Sequence, residues 1–556
     1  METSIWSGDR AGWPGFGRRK AGVGMSEQKN RKIEFGDFQT PVDLAREVCA
    51  LILRAGFRPA AIVEPTCGTG AFLKAAVETF PEASLALGFD INPEYVAHAR
   101  RAVADASARM FIEVRQSDFF AENWLNIVKS LPPPVLVIGN PPWVTSAGLG
   151  VLGSNNLPAK SNLDRMRGID ALTGKSNFDI SEWMLRKQIE WLDGRDALLA
   201  VLCKTAVARK TLLWAWQNEM SVESASLYAL NARQHFGVSV DAGLLLVRTA
   251  LSGSAKECSV FHSLQARQPE RVFGFLDGML VADAHLRRKW KGLAGPGLKG
   301  WRSGVKHDCN RVFELRLEKG ELVNGLGEAV DLEPESLFPM LKSSDLAAGG
   351  SPRRWMIVSQ RTMNDDPARL RLNAPKTWAY LTAHAQLLDQ RKSSIYRNRP
   401  RFSVFGVGAY SFAPWKVAIS GLYKKLEFVR VPPFQGRPVI VDDTCYFFPC
   451  QSEEECNLLY DLVMSAPARE FWSAFIFWDA MRPITAQLLN TLDLARLARL
   501  LNKDSDVARA LAARQRVDYI EGVSQSLLWE RESVGGEGLL VADSDLSPLK
   551  HTVLEN

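Results

Sequence analysis

From about residue 33 to 250 the chain alternates between short apolar runs and segments whose apolar positions recur at helical spacing. The runs Ala60–Val63, Leu85–Phe89, Phe111–Val114, Val135–Ile138, Leu198–Leu202 and Leu244–Val247 end in polar or glycine-rich turns, a pattern that predicts buried strands. Helices are predicted between them, around 71–79, 93–107, 177–193 and 206–219. A further helix is expected to open at Pro41, with Thr40 as N-cap, Asp43 in the first turn, and Ala45, Val48 and Ile52 on its inner face. Such alternation predicts an α/β domain over about 31–255, a mostly parallel twisted sheet with helices on both faces.

After residue 250 the alternation fades. Residues 287–306 mix glycines with Arg287, Arg288, Lys289, Lys291, Lys299, Arg302 and Lys306, and residues 391–401 (RKSSIYRNRPR) carry five basic and no acidic side chains. The strand-like runs Phe402–Val407, Val417–Ile419, Val439–Val441 and Tyr446–Phe448 predict a second, mixed α/β domain over 301–503, reached through a connector at 256–300. Residues 1–30 are glycine-rich and aperiodic and are expected to be a disordered tail, and 504–556 a second tail with one helix.

No run of about 18 apolar residues occurs, so no membrane span is predicted. Eight cysteines are scattered without a CxxC pair, and no histidine neighbours the trio Cys445, Cys450 and Cys456. They read as reduced thiols of a cytoplasmic protein, with no metal site. A net charge of +6 suits a polyanionic partner but decides nothing unless the charges cluster.

The candidate chemistry lies at the ends of the predicted strands. Glu64-Pro65-Thr66-Cys67-Gly68-Thr69-Gly70 follows the first strand and opens a helix, with glycines that let the backbone turn and approach a ligand closely. A dinucleotide loop would need GxGxxG, and Leu73 stands at the third position. The second strand ends at Asp90-Ile91, where a carboxylate can accept from ribose hydroxyls. The third ends at Asp118-Phe119, an acid that can accept from an adenine amino group beside a ring that can cover it. Each acid alone can equally be a helix N-cap; together they mark one edge of one sheet, where ligands of open α/β sheets bind.

The fourth strand ends in Asn140-Pro141-Pro142-Trp143. Two prolines fix the backbone and remove two N–H groups, so carbonyls and the Asn140 amide oxygen are left to face a ligand as acceptors. Such acceptors suit an aromatic amino group, whose lone pair is delocalised into its ring. Holding both hydrogens lets the nitrogen turn tetrahedral and aim its lone pair at an electrophile, with no strong base required. Trp143 can stack on the base, an interaction worth about 1–3 kcal/mol.

NPPW preceded by EPTCGTGAF, with Phe35-Gly36-Asp37-Phe38-Gln39-Thr40-Pro41 ahead of both, resembles the adenine-specific N6 DNA methyltransferases of the gamma class, in which a target-recognition domain follows the catalytic one. The resemblance implies a Rossmann-like methyltransferase domain and S-adenosylmethionine as cofactor, lined by Thr40, Pro41, Glu64, Thr66, Gly68, Gly70, Asp90, Ile91, Asp118 and Phe119. It implies that Asn140, Pro141, Pro142 and Trp143 hold a flipped-out adenine, with Phe236 of His235-Phe236-Gly237-Val238 packing on it, and it matches Lys175-Ser176-Asn177-Phe178-Asp179 to a segment that follows NPPY in this family. Trp143 departs from the usual Tyr or Phe. Residues 301–307 and 337–345 resemble stretches of recognition domains, and Arg391, Lys392, Arg397, Arg399 and Arg401 are candidate phosphate contacts to double-stranded DNA, although a solvated basic loop fits the same run.

Three other readings stand beside this one: an RNA or protein-glutamine amino methyltransferase using the same NPPW site, a non-catalytic nucleic-acid-binding subunit on the same fold, and a cytosine-N4 enzyme, which usually carries Ser where this chain has Asn140. A separately encoded restriction or defence protein is compatible as a partner.

Overall fold

The computed structural model describes residues 39–104, 110–143, 179–295, 300–349 and 351–506. The chain forms two compact units, one running to Ala255 and including Phe261–Gln268, the other comprising Lys256–Val260 and everything from Pro269.

In the first unit the elements are α1 (Val42–Arg54), β1 (Ala61–Glu64), α2 (Ala71–Thr79), β2 (Leu85–Asp90), α3 (Pro93–Ala102), β3 (Phe111–Gln116), α4 (Trp124–Lys129), β4 (Val135–Gly139), α5 (Ile180–Leu192), β5 (Ala197–Lys204), α6 (Thr205–Gln217), β6 (Val222–Leu230), α7 (Ala232–Phe236) and β7 (Ala242–Thr249). The strands lie in the order β6-β7-β5-β4-β1-β2-β3. The five from β1 to β5 are parallel, and β7 runs antiparallel to both β5 and β6. β1 and β4 are buried along their whole length, and β5 in all but its last residue, as central parallel strands must be. The sheet is mostly parallel, as the alternation predicts. β6 escapes the sequence reading because its buried positions are interrupted by exposed polar ones rather than forming an apolar run.

The chain enters the sheet at its middle. It builds β2 and β3 to one side of β1, then returns to build β4 and β5 on the other. Right-handed crossovers that reverse direction place their helices on opposite faces. Accordingly α1, α2 and α3 pack against one another, as do α4, α5 and α6. The reversal between β1 and β4 leaves a crevice at the strands' carboxyl ends.

Side-chain caps open α3 and α5. Asn92 accepts from the Glu94 amide at 2.9 Å, with Pro93 opening α3, and Asp179 caps α5. α1 starts one residue later than expected. Pro41 occupies its N-cap position without a side-chain hydrogen bond, so Thr40 is not the cap.

The second unit holds an antiparallel meander of β8 (Glu257–Phe261, all but its last residue), β9 (Arg271–Leu276) and β10 (Met279–Val281). It also has a four-stranded sheet in the order β11 (Arg302–Ser303), β19 (Cys445–Cys450), β16 (Trp415–Ser420), β17 (Val429–Val431). A five-stranded sheet follows the order β13 (Glu321–Asn324), β12 (Glu314–Glu318), β15 (Arg354–Ile357), β14 (Leu337–Leu341), β18 (Ile440–Val441). The 256–300 stretch is therefore no passive connector: Val281, Ala284 and Leu293 are buried in one core with Trp301, Phe471 and Trp472. Phe402–Val407 forms no strand, although Phe402, Val404 and Val407 are fully buried. The expected N-terminal tail lies outside the described residues, as does the second tail from residue 507. Among the described residues no helix is long and apolar enough to cross a membrane, and no group of three or more His, Cys, Asp or Glu side chains is placed to hold a metal ion.

Candidate active site

The glycine-rich turn after β1 is fixed from three sides. The Cys67 amide donates to the Phe89 carbonyl at 2.7 Å, and the Gly68 amide to Asp90 Oδ2 at 2.8 Å. Asp90 Oδ1 accepts from the Asn92 amide at 2.8 Å, so one carboxylate joins the turn to the start of α3. Gln39 Oε1 accepts from both the amide (3.1 Å) and the hydroxyl (3.0 Å) of Thr69. Gly70 then takes a φ of +88° at the head of α2, where a Cβ would stand 2.9 Å from the Ala99 backbone. Gln39 belongs to the FQTP motif, yet the sequence alone gives it no role; its place ahead of α1 is the available signal. Phe35–Phe38 of that motif lie outside the described residues.

Glu64, the last residue of β1, is 2 % exposed, and its Oε2 has no hydrogen-bond partner. Burial holds its carboxyl well above the usual carboxylate range; the Leu73 amide opposes this, and nearby Asp90 adds to it. The folded protein thus holds the Glu64 proton more tightly than the unfolded chain. That contribution to stability is complete below about pH 4.5 and is lost as pH rises through the elevated value. Glu64→Gln is expected to raise the melting temperature of the ligand-free protein at pH 8, by about 1–3 kcal/mol of stability, with the difference closing below pH 4.5. A thermal-shift series against pH checks this. Burial likewise pushes the Cys67 thiol up, so that thiol is no nucleophile.

Asn140 follows β4 directly across from this turn, because β4 pairs in parallel with β1 through Val63 and Val137. Its amide nitrogen lies 3.4 Å from Thr40 Oγ1, so the residue expected to cap α1 instead meets the NPPW turn. Pro141 is buried and Pro142 half-buried. Trp143 is a core residue, 6 % exposed, with its indole N–H donating to the Leu202 carbonyl at 3.3 Å. Its ring meets Phe236 edge to face at 5.2 Å between centroids, and Phe236 is the less buried of the two. The expected base-stacking pair is thus brought together, with Trp143 seated behind Phe236.

No family model matches the chain. It is 41% identical over 473 residues to the Type II methyltransferase M.NspV of Nostoc sp., covering 84% of this chain and 98% of that protein. The chain belongs to the Type II methyltransferases. Among solved structures it aligns with the Type IIL restriction-modification enzyme MmeI, solved in complex with DNA, at 12% identity and a TM-score of 0.47 over 84% of this chain and 67% of that one. It also aligns with the type IIG restriction endonuclease BpuSI at 14% identity and a TM-score of 0.34, over 82% and 58%.

Other predicted positions of this methyltransferase divide. Asp118 accepts from the Phe120 amide at 2.9 Å and so shapes the turn after β3. Phe119 is 7 % exposed, and its ring packs against Trp124 at 5.3 Å and Trp191 at 5.5 Å. Its neighbour Phe120 is the more open ring of the two. Ile91 is exposed and Thr66 half-buried. Lys175–Phe178 lie outside the described residues, while Asp179 pairs with Lys204, a residue missed in sequence whose ammonium reaches the Trp143 carbonyl.

The basic run of the methyltransferase's second unit also divides. Arg391 donates to the carbonyls of Ser403 (2.7 Å) and Leu388 (2.9 Å), and its guanidinium lies 3.8 Å from the Tyr396 ring centroid. Arg399 donates to the Met363 carbonyl at 3.2 Å, and Arg401 pairs with Asp389 through Nε and Nη2. Arg391 and Arg399 thus hold the segment's own fold, because carbonyls left by an irregular chain need donors, while Arg401 makes an exposed ion pair. Lys392 and Arg397 remain exposed.

Proposed function

We propose that this Type II methyltransferase transfers a methyl group from S-adenosylmethionine to the N6 amino group of an adenine flipped out of a specific double-stranded DNA sequence. The setting is a restriction–modification or phage-defence system, and the order of the motifs supports a gamma-class enzyme. The observation that carries this reading is the Asn140-Pro141-Pro142 turn lying beside the glycine-rich turn at the sheet's reversal point.

The residues present fit the methyl donor. Gly68 (φ +50°) and Gly70 (φ +88°) shape a turn that a residue with a Cβ would strain, and the partnerless, buried oxygen of Glu64 can take a hydrogen-bond donor. Thr40, Pro41, Thr66, Ile91, Asp90 and Asp118 border the same edge. When bound, S-adenosylmethionine supplies an electrophilic methyl group on a sulfonium. The Asn140 side-chain oxygen and the Pro141 carbonyl accept from the two amino hydrogens of adenine and hold its nitrogen in line. Phe236 presents a ring to the base, and Trp143 backs it. Flipping costs a few kcal/mol, which stacking on such a ring offsets in part.

The test is methyl transfer from labelled S-adenosylmethionine to duplex DNA, RNA and protein offered together. Label in DNA supports the reading; label in RNA or protein alone overturns it.

In this reading Lys392 and Arg397, exposed in the basic run, contact phosphate. Replacing both by Ala is expected to lower the slope of log affinity against log salt by about 0.9 for each phosphate no longer neutralised, without changing thermal stability. Arg391→Ala is expected to lower the melting temperature instead, because its guanidinium ties the carbonyls of Leu388, His307 and Ser403 and the Tyr396 ring. Salt-titrated fluorescence anisotropy and a thermal-shift assay check the pair.

A further inference from the structure

Lys204 is the last residue of β5, and its ammonium contacts two points far apart in the chain. It donates to Asp179 Oδ2 at 2.6 Å, 25 residues back, and lies 3.4 Å from the Trp143 carbonyl, 61 residues back. The pair is sheltered, with the Lys204 side chain 25% and the Asp179 side chain 11% exposed. The other Asp179 oxygen is committed: Oδ1 accepts from the Ser181 amide (3.1 Å) and hydroxyl (2.6 Å) at the head of α5. Asp179 therefore has a fixed orientation, and Lys204 is anchored to it rather than left to sample rotamers.

The same strand end holds Trp143 a second time, through the Leu202 carbonyl on its indole N–H. Between Trp143 and Asn140 stand only Pro141 and Pro142, whose φ angles are locked and which carry no N–H. A stiff proline pair transmits the placement of its end to its beginning. Whatever fixes the carbonyl and ring of Trp143 therefore also fixes the acceptors at Asn140 and Pro141.

We infer that Lys204, oriented by Asp179, is a positioning residue for the reaction: it pins the far end of the NPPW turn so that the amino-group acceptors stay in register with the methyl donor. This rests on the reading of the NPPW turn as the amino-acceptor site. Because a misplacement of about 1 Å can cost roughly 100-fold in rate, loss of the pin falls on the transfer step rather than on cofactor binding.

The experiment compares Lys204→Met, Lys204→Arg and Asp179→Asn with wild type in single-turnover methylation, in S-adenosylmethionine binding by calorimetry, and in thermal stability. Lys204→Met is expected to slow transfer by roughly 10- to 100-fold while the cofactor dissociation constant moves by less than about threefold. Lys204→Arg recovers part of the rate, since it keeps the charge on Asp179 with a different reach, and Asp179→Asn falls between. An unchanged single-turnover rate in Lys204→Met overturns the inference. So does a loss that tracks cofactor affinity and melting temperature together and that Arg does not relieve, for then the pair is only structural. The comparison is run on whichever amino acceptor the wild type methylates. A wild type that labels RNA or protein instead of DNA sinks the DNA reading, while the Lys204 comparison is still made on that acceptor.

Discussion

Asn140→Ala is expected to lower the single-turnover rate of methyl transfer by about 10²–10³-fold, with S-adenosylmethionine affinity unchanged. The substitution removes an acceptor aimed at charge that develops on the amino nitrogen only as the methyl group moves. Such an interaction contributes little to the ground state, so its loss appears in the transfer rate rather than in binding. Calorimetry of cofactor binding beside rapid-quench methylation separates the two. A variant that keeps its rate within tenfold would remove Asn140 from the chemistry.

The second large effect is expected at Gly70. Gly70→Ala places a side chain at φ +88° and puts its Cβ 2.9 Å from both the Cα and the Cβ of Ala99. The left-handed backbone costs about 1–2 kcal/mol for a residue with a Cβ. Forcing α3 away from the turn adds about 1–3 kcal/mol more. Gly56 is the control, since its φ is +82° and nothing lies within 4 Å of its would-be Cβ. Gly56→Ala should show only the backbone cost and bind S-adenosylmethionine normally, whereas Gly70→Ala should lose stability further and bind it at least about tenfold more weakly, as a 1.4 kcal/mol distortion of the turn would give. Scanning calorimetry with and without the cofactor checks both variants. Equal behaviour of the two would mean that the close approach to Ala99 does not hold the turn in place.

What the sequence made legible is what turn chemistry marks. Glu64, the glycine pair, Asp90 and Asn140 stand out because parallel strands end in turns with few allowed residue types, and their shared sheet edge follows from the alternation alone. Other features turn on packing, which spacing does not encode. Phe119 and Phe120 are adjacent aromatics after one strand, and only the cluster with Trp124 and Trp191 decides which is buried. Thr40 precedes a helix and has a cap's chemistry, yet Pro41 takes the cap position and Thr40 turns toward Asn140. The run 391–401 looks uniformly basic in sequence, but Arg391 and Arg399 donate to carbonyls of the fold. Lys204 carries no local signal, because its two partners come from distant parts of the chain.

The measurement that bears most directly on the central claim is the identity of the methylated base. Purified protein is incubated with S-adenosylmethionine and unmethylated duplex DNA, the DNA is digested to nucleosides, and these are resolved by mass spectrometry. The account predicts N6-methyl-2′-deoxyadenosine and no other new nucleoside. A methyl group on cytosine N4, or unmodified DNA from a protein that binds the cofactor and methylates RNA or protein, would contradict it.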